Sequence, residues 1–293
     1  MPGLRSLTPP VFPLLLAVAI LGTAAARADE PPPDVWETAR RFSFNRPESN
    51  LQIRGVFELG LASVISNQYQ GSRDGTRFDW VKDGGQGTVI PFTRVSAEAQ
   101  IFQRHTFILL YQPLDIRTRD TLRAPLRVDG IDFPAGTPMQ FRYGFDFYRF
   151  SYLYDFLKSP RHEAAIGLSM QMRVANIEFA SLDGRLQRAS QNIGPVPVVK
   201  LRGRYTFDNS AFLGAEIDGI AVQFPSDTGS VLGVLFDVSL RAGYSPTSFL
   251  ETFINLRYLG GGAKGPGSTP EFGDGYVDNF IHTISASVGI TLK

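Results

Sequence analysis

From Leu51 onward, one stretch after another alternates apolar and polar side chains in steps of two. That is the period of an extended strand, whose successive side chains point to opposite faces. Leu51, Ile53, Phe57, Leu59 and Leu61 share one face, with Gln52, Arg54 and Glu58 on the other. Val95, Ala97, Ala99 and Ile101 likewise stand against Arg94, Ser96, Glu98 and Gln100. The pattern returns in residues 164–175, 196–207, 211–222, 231–244, 249–259 and 280–292. Residues 106–116 are ambiguous, because residues 107–111 are all apolar or aromatic. Residues 139–157 form the longest apparent strand.

The joints alternate too. Short ones fall at Arg104-His105, at residues 158–161, at Asp208-Asn209-Ser210 and at Ser245-Pro246-Thr247. Long polar ones cover residues 66–91, 117–138, 181–192, 223–229 and 260–276. A soluble sandwich would also alternate, but its strands average about 5–6 residues, and many of these exceed ten. The two alternations together predict an all-β fold: an up-and-down antiparallel transmembrane β-barrel of about ten strands, with eight to twelve compatible. Its short turns are expected in the periplasm and its long loops outside.

Residues 1–28 read as an export signal, with Arg5, an apolar core around Leu14-Leu15-Leu16, and the cleavage pattern Ala26-Arg27-Ala28. Residues 29–50 read as a periplasmic N-terminal segment, stiffened by Pro31-Pro32-Pro33, with Asp34 placed to cap a short helix. Residues 51–293 are the barrel. No Cys is present, which removes disulfides, thiol catalysis and Cys-based metal sites. Arg5 and Arg27 lie in the signal, so the remainder carries 27 basic and 28 acidic residues. This balance gives no support for a nucleic-acid partner.

If the apolar faces meet lipid, the other faces line the lumen. They carry both signs of charge, interleaved. A three-residue turn at residues 208–210 sets Arg202 opposite Glu216 and Lys200 opposite Asp218. A three-residue turn at residues 245–247 sets Arg241 opposite Glu251. These six residues are the expected lumen ion-pair network. An unpaired charge in a narrow lumen costs several kcal/mol, so the interior is expected to be zipped shut.

No catalytic set emerges. Glu216 and Asp218 share a face, as paired acids would, but they lie opposite cations. His282 and Ser285, three apart on a strand, face opposite ways. His105 and His162 fall at turns, and three scattered histidines do not make a transition-metal site. Asp274 and Asp278, near Glu271, match no calcium loop. No cofactor is expected.

Residues 139–157 hold the one irregularity. Tyr148, Phe150, Tyr152, Tyr154 and Phe156 occupy the even face near the expected periplasmic end, whereas Phe141, Tyr143, Phe145 and Phe147 occupy the odd face further out. Either a β-bulge lies near Phe147-Tyr148, or the outer half turns an aromatic cluster inward, where it would contact a ligand at the mouth.

In these respects residues 51–293 resemble the bacterial outer-membrane β-barrel superfamily of small monomeric barrels. Such chains usually end in an aromatic residue that the assembly machinery reads, and here Leu292-Lys293 stands in that place. The resemblance implies the outer membrane of a Gram-negative cell. It implies outer-membrane lipid, lipopolysaccharide and the barrel-assembly machinery as partners, and a monomer. The leading expectation is a non-enzymatic, porin-like barrel with a charge-paired, narrow lumen. It would serve envelope structure, surface interaction or restricted small-solute passage. The alternatives are a barrel enzyme at the outer rim (lipid A hydrolase or surface protease) and a binder or transporter of small apolar ligands at an aromatic mouth.

Overall fold

In the computed structural model, residues 50–159, 161–226, 229–266 and 273–293 are described. Residues 1–28, expected as an export signal, residues 29–49 of the expected N-terminal segment, and Glu271 lie outside them. The elements run β1 (Leu51–Gly71), β2 (Phe78–Asp79), β3 (Val89–Ile101), β4 (His105–Gln112), β5 (Asp115–Thr121), β6 (Leu126–Val128) and β7 (Ile131–Phe133). They continue with β8 (Pro138–Asp155), β9 (Glu163–Ser181), β10 (Gln187–Thr206), β11 (Ala211–Ser226), β12 (Gly229–Tyr244), β13 (Leu250–Pro266) and β14 (Tyr276–Leu292).

Ten of these paths make a closed, antiparallel, up-and-down barrel, in which each strand pairs with its sequence neighbour and β14 pairs back to β1. Closure removes the free edges that a bilayer could not hydrate. β4 and β5 are two halves of one path along β8, interrupted at Pro113-Leu114. Pro113 cannot donate to a ladder.

The outward face is apolar strand after strand. Leu59, Leu168, Met170, Leu213, Leu240, Ile254, Leu256 and Val288 are all exposed. Exposed aromatics mark the belt's two edges: Phe102, Phe156, Tyr205, Phe207 and Tyr244 at the short-turn end, and Tyr111, Tyr148 and Phe236 toward the loops. An apolar band between aromatic girdles is the outer surface of a transmembrane barrel.

Three expectations are corrected. The long joints are partly strand. β1 continues to Gly71, β9 and β10 are separated by five residues only, and β13 runs to Pro266. A bilayer needs about 9–11 residues of tilted strand, so these ladders extend past the belt. Second, β8 has no bulge at Phe147-Tyr148, since its register with β9 is unbroken from Met139 to Asp155. Its odd face is inward throughout, and Phe141, Phe147, Arg149 and Leu153 are all buried. The bulge of this barrel is in β1, where Val64 pairs with Thr283, Ser66 pairs with His282 and Ile65 is skipped. Val64 is inward before it, and Asn67 and Tyr69 after it.

Third, Arg241 stands opposite Asn255, not Glu251. The ladder of β12 and β13 ends at Tyr244–Thr252, which leaves a longer connection than a three-residue turn. Ser245 spends its amide on the Ser210 carbonyl of the neighbouring turn at 3.0 Å, and Thr247 Oγ1 accepts from the Leu250 amide at 3.1 Å. The turn is held sideways and does not close on itself.

Candidate functional site

The lumen has three levels. The lowest, at the short-turn end, is a floor of paired charges. Lys200 (β10) reaches Glu216 at 2.7 Å and Asp218 at 2.9 Å, both on β11. Arg202 stands opposite Glu216 in register but pairs with Glu163 of β9 at 2.8 Å and Glu98 of β3 at 3.1 Å. Arg241 pairs with Glu58 of β1 at 3.1 Å, and Glu251 takes Arg204 at 2.5 Å and Lys293 at 2.6 Å. Thus all six expected network residues carry a partner, but the partners of Arg202, Arg241 and Glu251 lie on other strands.

The remaining contacts cross the barrel. Arg149 of β8 meets Asp218 at 2.8 Å and Asp237 of β12 at 2.9 Å. Arg257 forks onto the same Asp237 and donates to Gln112 of β4 at 2.7 Å. Glu58, 1% exposed, accepts from Asn255 and Ser287 at 2.9 Å each. Charges buried with matching partners are tolerated where isolated ones are not. These contacts tie β3, β4, β8, β9, β10, β11, β12 and β13 together across the floor. Glu216 and Asp218 do not form a proton-sharing acid pair, because Lys200 lies against both. Ser285 stands opposite Arg257 in the inward row and His282 opposite Gly260 in the outward one, where it bonds the Tyr258 hydroxyl at 2.6 Å. They make no nucleophile–base pair.

The highest level is a packed cap. The connection after β1 folds inward and buries Trp80 completely. Its ring lies 4.8 Å from Phe179, 5.4 Å from Phe78 and Tyr143, and 5.8 Å from Phe141. Leu126, Val128 and Phe133 of the β6–β7 hairpin join the same cluster. So of the four aromatics expected at a ligand mouth, Phe141 belongs to the cap core. Phe147, also buried, lies under the Arg149 guanidinium at 5.5 Å.

Between floor and cap lies an apolar chamber of about 350 Å³. Tyr143 and Phe145 line it from β8, Val196 and Pro197 from β10, and Ile220, Val222 and Phe224 from β11. Leu235, Leu259 and Ile281 close the other side, and Gly194, Gly233 and Gly260-Gly261-Gly262 also border it. Four polar groups reach it: Tyr143, Arg173, Asn279 and Thr283. Asn279 donates to the Tyr143 hydroxyl at 3.2 Å, a bridge from β14 to β8 under the cap. A mainly apolar cavity with a few converging polar groups is the usual form of a small-molecule site.

The sequence carried a signal for this chamber. On β10, β11, β12 and β13 the inward face changes from charged to apolar one step above the floor. Lys200 gives way to Val198, Asp218 to Ile220, Asp237 to Leu235 and Arg257 to Leu259. Reading each strand alone hides the fact that Ile220, Leu235 and Leu259 meet in one chamber. Among the described residues, no group of His, Asp and Glu is placed to hold a metal ion. Asp274 bonds Arg73 at 3.1 Å and Asp278 bonds Lys264 at 3.0 Å.

Fold and site together define a transmembrane β-barrel of the outer-membrane kind, with a floor of paired charges and an internal chamber. No protein-family model matches the chain, and no curated protein does. Among solved structures it is similar to the outer membrane protease OmpT from Escherichia coli, at 11% identity and a TM-score of 0.45, over 82% of this chain and 96% of that one. It is similar to Neisserial surface protein A (NspA) at 12% identity and a TM-score of 0.31, over 82% of this chain and 96% of that one. It is also similar to the P. putida toluene transporter TodX at 9% identity and a TM-score of 0.32, over 82% of this chain and 90% of that one. A protease, a surface protein and a transporter have different roles, so the likeness carries no activity across to this chain.

Proposed function

We propose that this protein is an outer-membrane barrel that holds a small, mainly apolar molecule in its chamber and does not act as an open pore. Its short turns face the periplasm and its loops face outward. The observation that carries this reading is the stacking of levels, in which a chamber of about 350 Å³ lies above a floor of paired charges. At interior packing density such a space suits a molecule of about a dozen heavy atoms. Passage of the molecule to the periplasm would require the floor to open, so binding is the primary act.

The test is calorimetric titration of the full chain, held in amphipol, with decan-1-ol. Saturable binding is expected, with loss of at least tenfold in affinity for Val222→Trp, which fills the chamber from β11. Absence of saturable binding in the wild type would sink the reading. A large, steady single-channel current in planar bilayers would sink its closed-floor half.

A further inference from the structure

The cations of the floor have carboxylate partners. Arg173 does not. It points inward from β9, one step above Gln171, and lines the chamber. Among the described residues it forms no ion pair, its Nε is shielded from solvent without a hydrogen-bond partner, and its guanidinium lies over the Phe145 ring at 5.6 Å. A cation held in apolar surroundings without a counter-ion is costly. The planar guanidinium suits a carboxylate, which it can grip with two parallel hydrogen bonds.

We infer that the chamber takes an amphipathic anion, an apolar body ending in a carboxylate that pairs with Arg173. This rests on the chamber reading above and adds the ligand's charge. The test compares decanoate with decan-1-ol on the full chain in amphipol. Decanoate is expected to bind at least tenfold tighter than the alcohol. In Arg173→Gln that preference is lost, and in Arg173→Lys part of it remains, with folding of each variant checked by its heat-modifiable gel migration. Equal binding of acid and alcohol to the wild type would overturn the inference and leave the chamber reading standing. Binding of neither would overturn both.

The route into the chamber rests on a different observation. β10 pairs with β9 from Gln187 to Arg204, and β11 pairs with β12 along its whole length. β10 and β11 pair with each other over eight rungs only, from Thr206–Phe212 to Val199–Gly219. Antiparallel residues alternate between bonding one neighbour and the other. The Phe207 amide donates to the Ala211 carbonyl at 2.8 Å, so odd-numbered residues of both strands face this seam. Pro195, Pro197 and Pro225 are all odd. Their missing amides fall where the ladder would continue, and fewer polar groups are left bare at the edge.

The exterior here is still apolar, with Ile193 exposed, and Pro195 and Pro197 line the chamber although their side chains point outward. At the other early end of a ladder, above Val95–Tyr111, the Gly84 carbonyl accepts from the Thr118 hydroxyl and a connecting segment fills the space. At the β10–β11 seam the chamber takes that place.

We propose that the ligand enters sideways through this seam, from the outer leaflet. Rejoining the ladder tests it. Pro195→Val with Pro197→Val is expected to slow transfer of decanoate from preloaded vesicles at least tenfold. In a second arm, Pro195→Cys with Gln223→Cys is bridged by a bifunctional thiol reagent; the chain has no other Cys, so only this pair reacts. The bridge is expected to slow transfer as strongly. An unchanged transfer rate in the bridged protein would overturn the seam as the route.

Discussion

Arg149 of β8 and Asp237 of β12 form an ion pair at 2.9 Å across the lumen, although three strands lie between them in the wall. Asp237 also takes Arg257 from the adjacent strand, and Arg149 also takes Asp218. The floor is therefore braced across the barrel as well as along neighbouring strands.

Removing one side of that brace strands a buried charge. Arg149→Ala is expected to destabilise the barrel by about 3–5 kcal/mol, the usual cost of breaking a buried pair. The same variant is expected to pass measurable ionic current where the wild type does not. Urea unfolding in detergent reads the first effect and planar-bilayer recording the second.

Lys200 lies against two carboxylates at once. Lys200→Met leaves Glu216 and Asp218 facing each other without it, and a loss of several kcal/mol is expected. Adding Asp218→Asn should recover part of that loss, and a double-mutant cycle should report a coupling of about 0.5–3 kcal/mol. Additive single effects would contradict the pair.

Trp80 has no exposed surface and packs against four aromatic rings. Trp80→Ala is expected to cost about 3–5 kcal/mol. The loss is local to the cap, so added protease should cut the connection between β1 and β3 in the variant while the membrane-embedded ladder stays intact on a gel.

Among the described residues, the β10–β11 ladder ends at Val199–Gly219. Hydrogen exchange is expected to be fast at Ala221 and Gln223 and slow at Leu213, Ala215 and Ile217, which pair with β10. Uniform protection along β11 would show the seam closed.

Much of this molecule is legible in local pattern. Alternation identified which residues face lipid, because a strand's two faces follow from backbone geometry alone. The tight turn at Asp208-Asn209-Ser210 fixed the register that sets Lys200 opposite Asp218. The same logic failed at Ser245, whose amide is spent on Ser210 of the neighbouring turn, a contact that no reading of one hairpin contains. It also left the odd face of β8 undecided between a bulge and an inward cluster, because an inward apolar residue and an outward one look alike until something packs against them.

The sequence by itself determined the barrel class, the alternating faces of most strands and the charges carried by one of those faces. The tertiary structure alone decided that Arg202 pairs with Glu98 on a distant strand, that Trp80 folds back onto Phe141 and Phe179, and that Arg173 is left over. The reason is geometric. Facing is set by neighbours along the chain, whereas contacts across a lumen depend on the tilt and stagger with which the whole sheet closes.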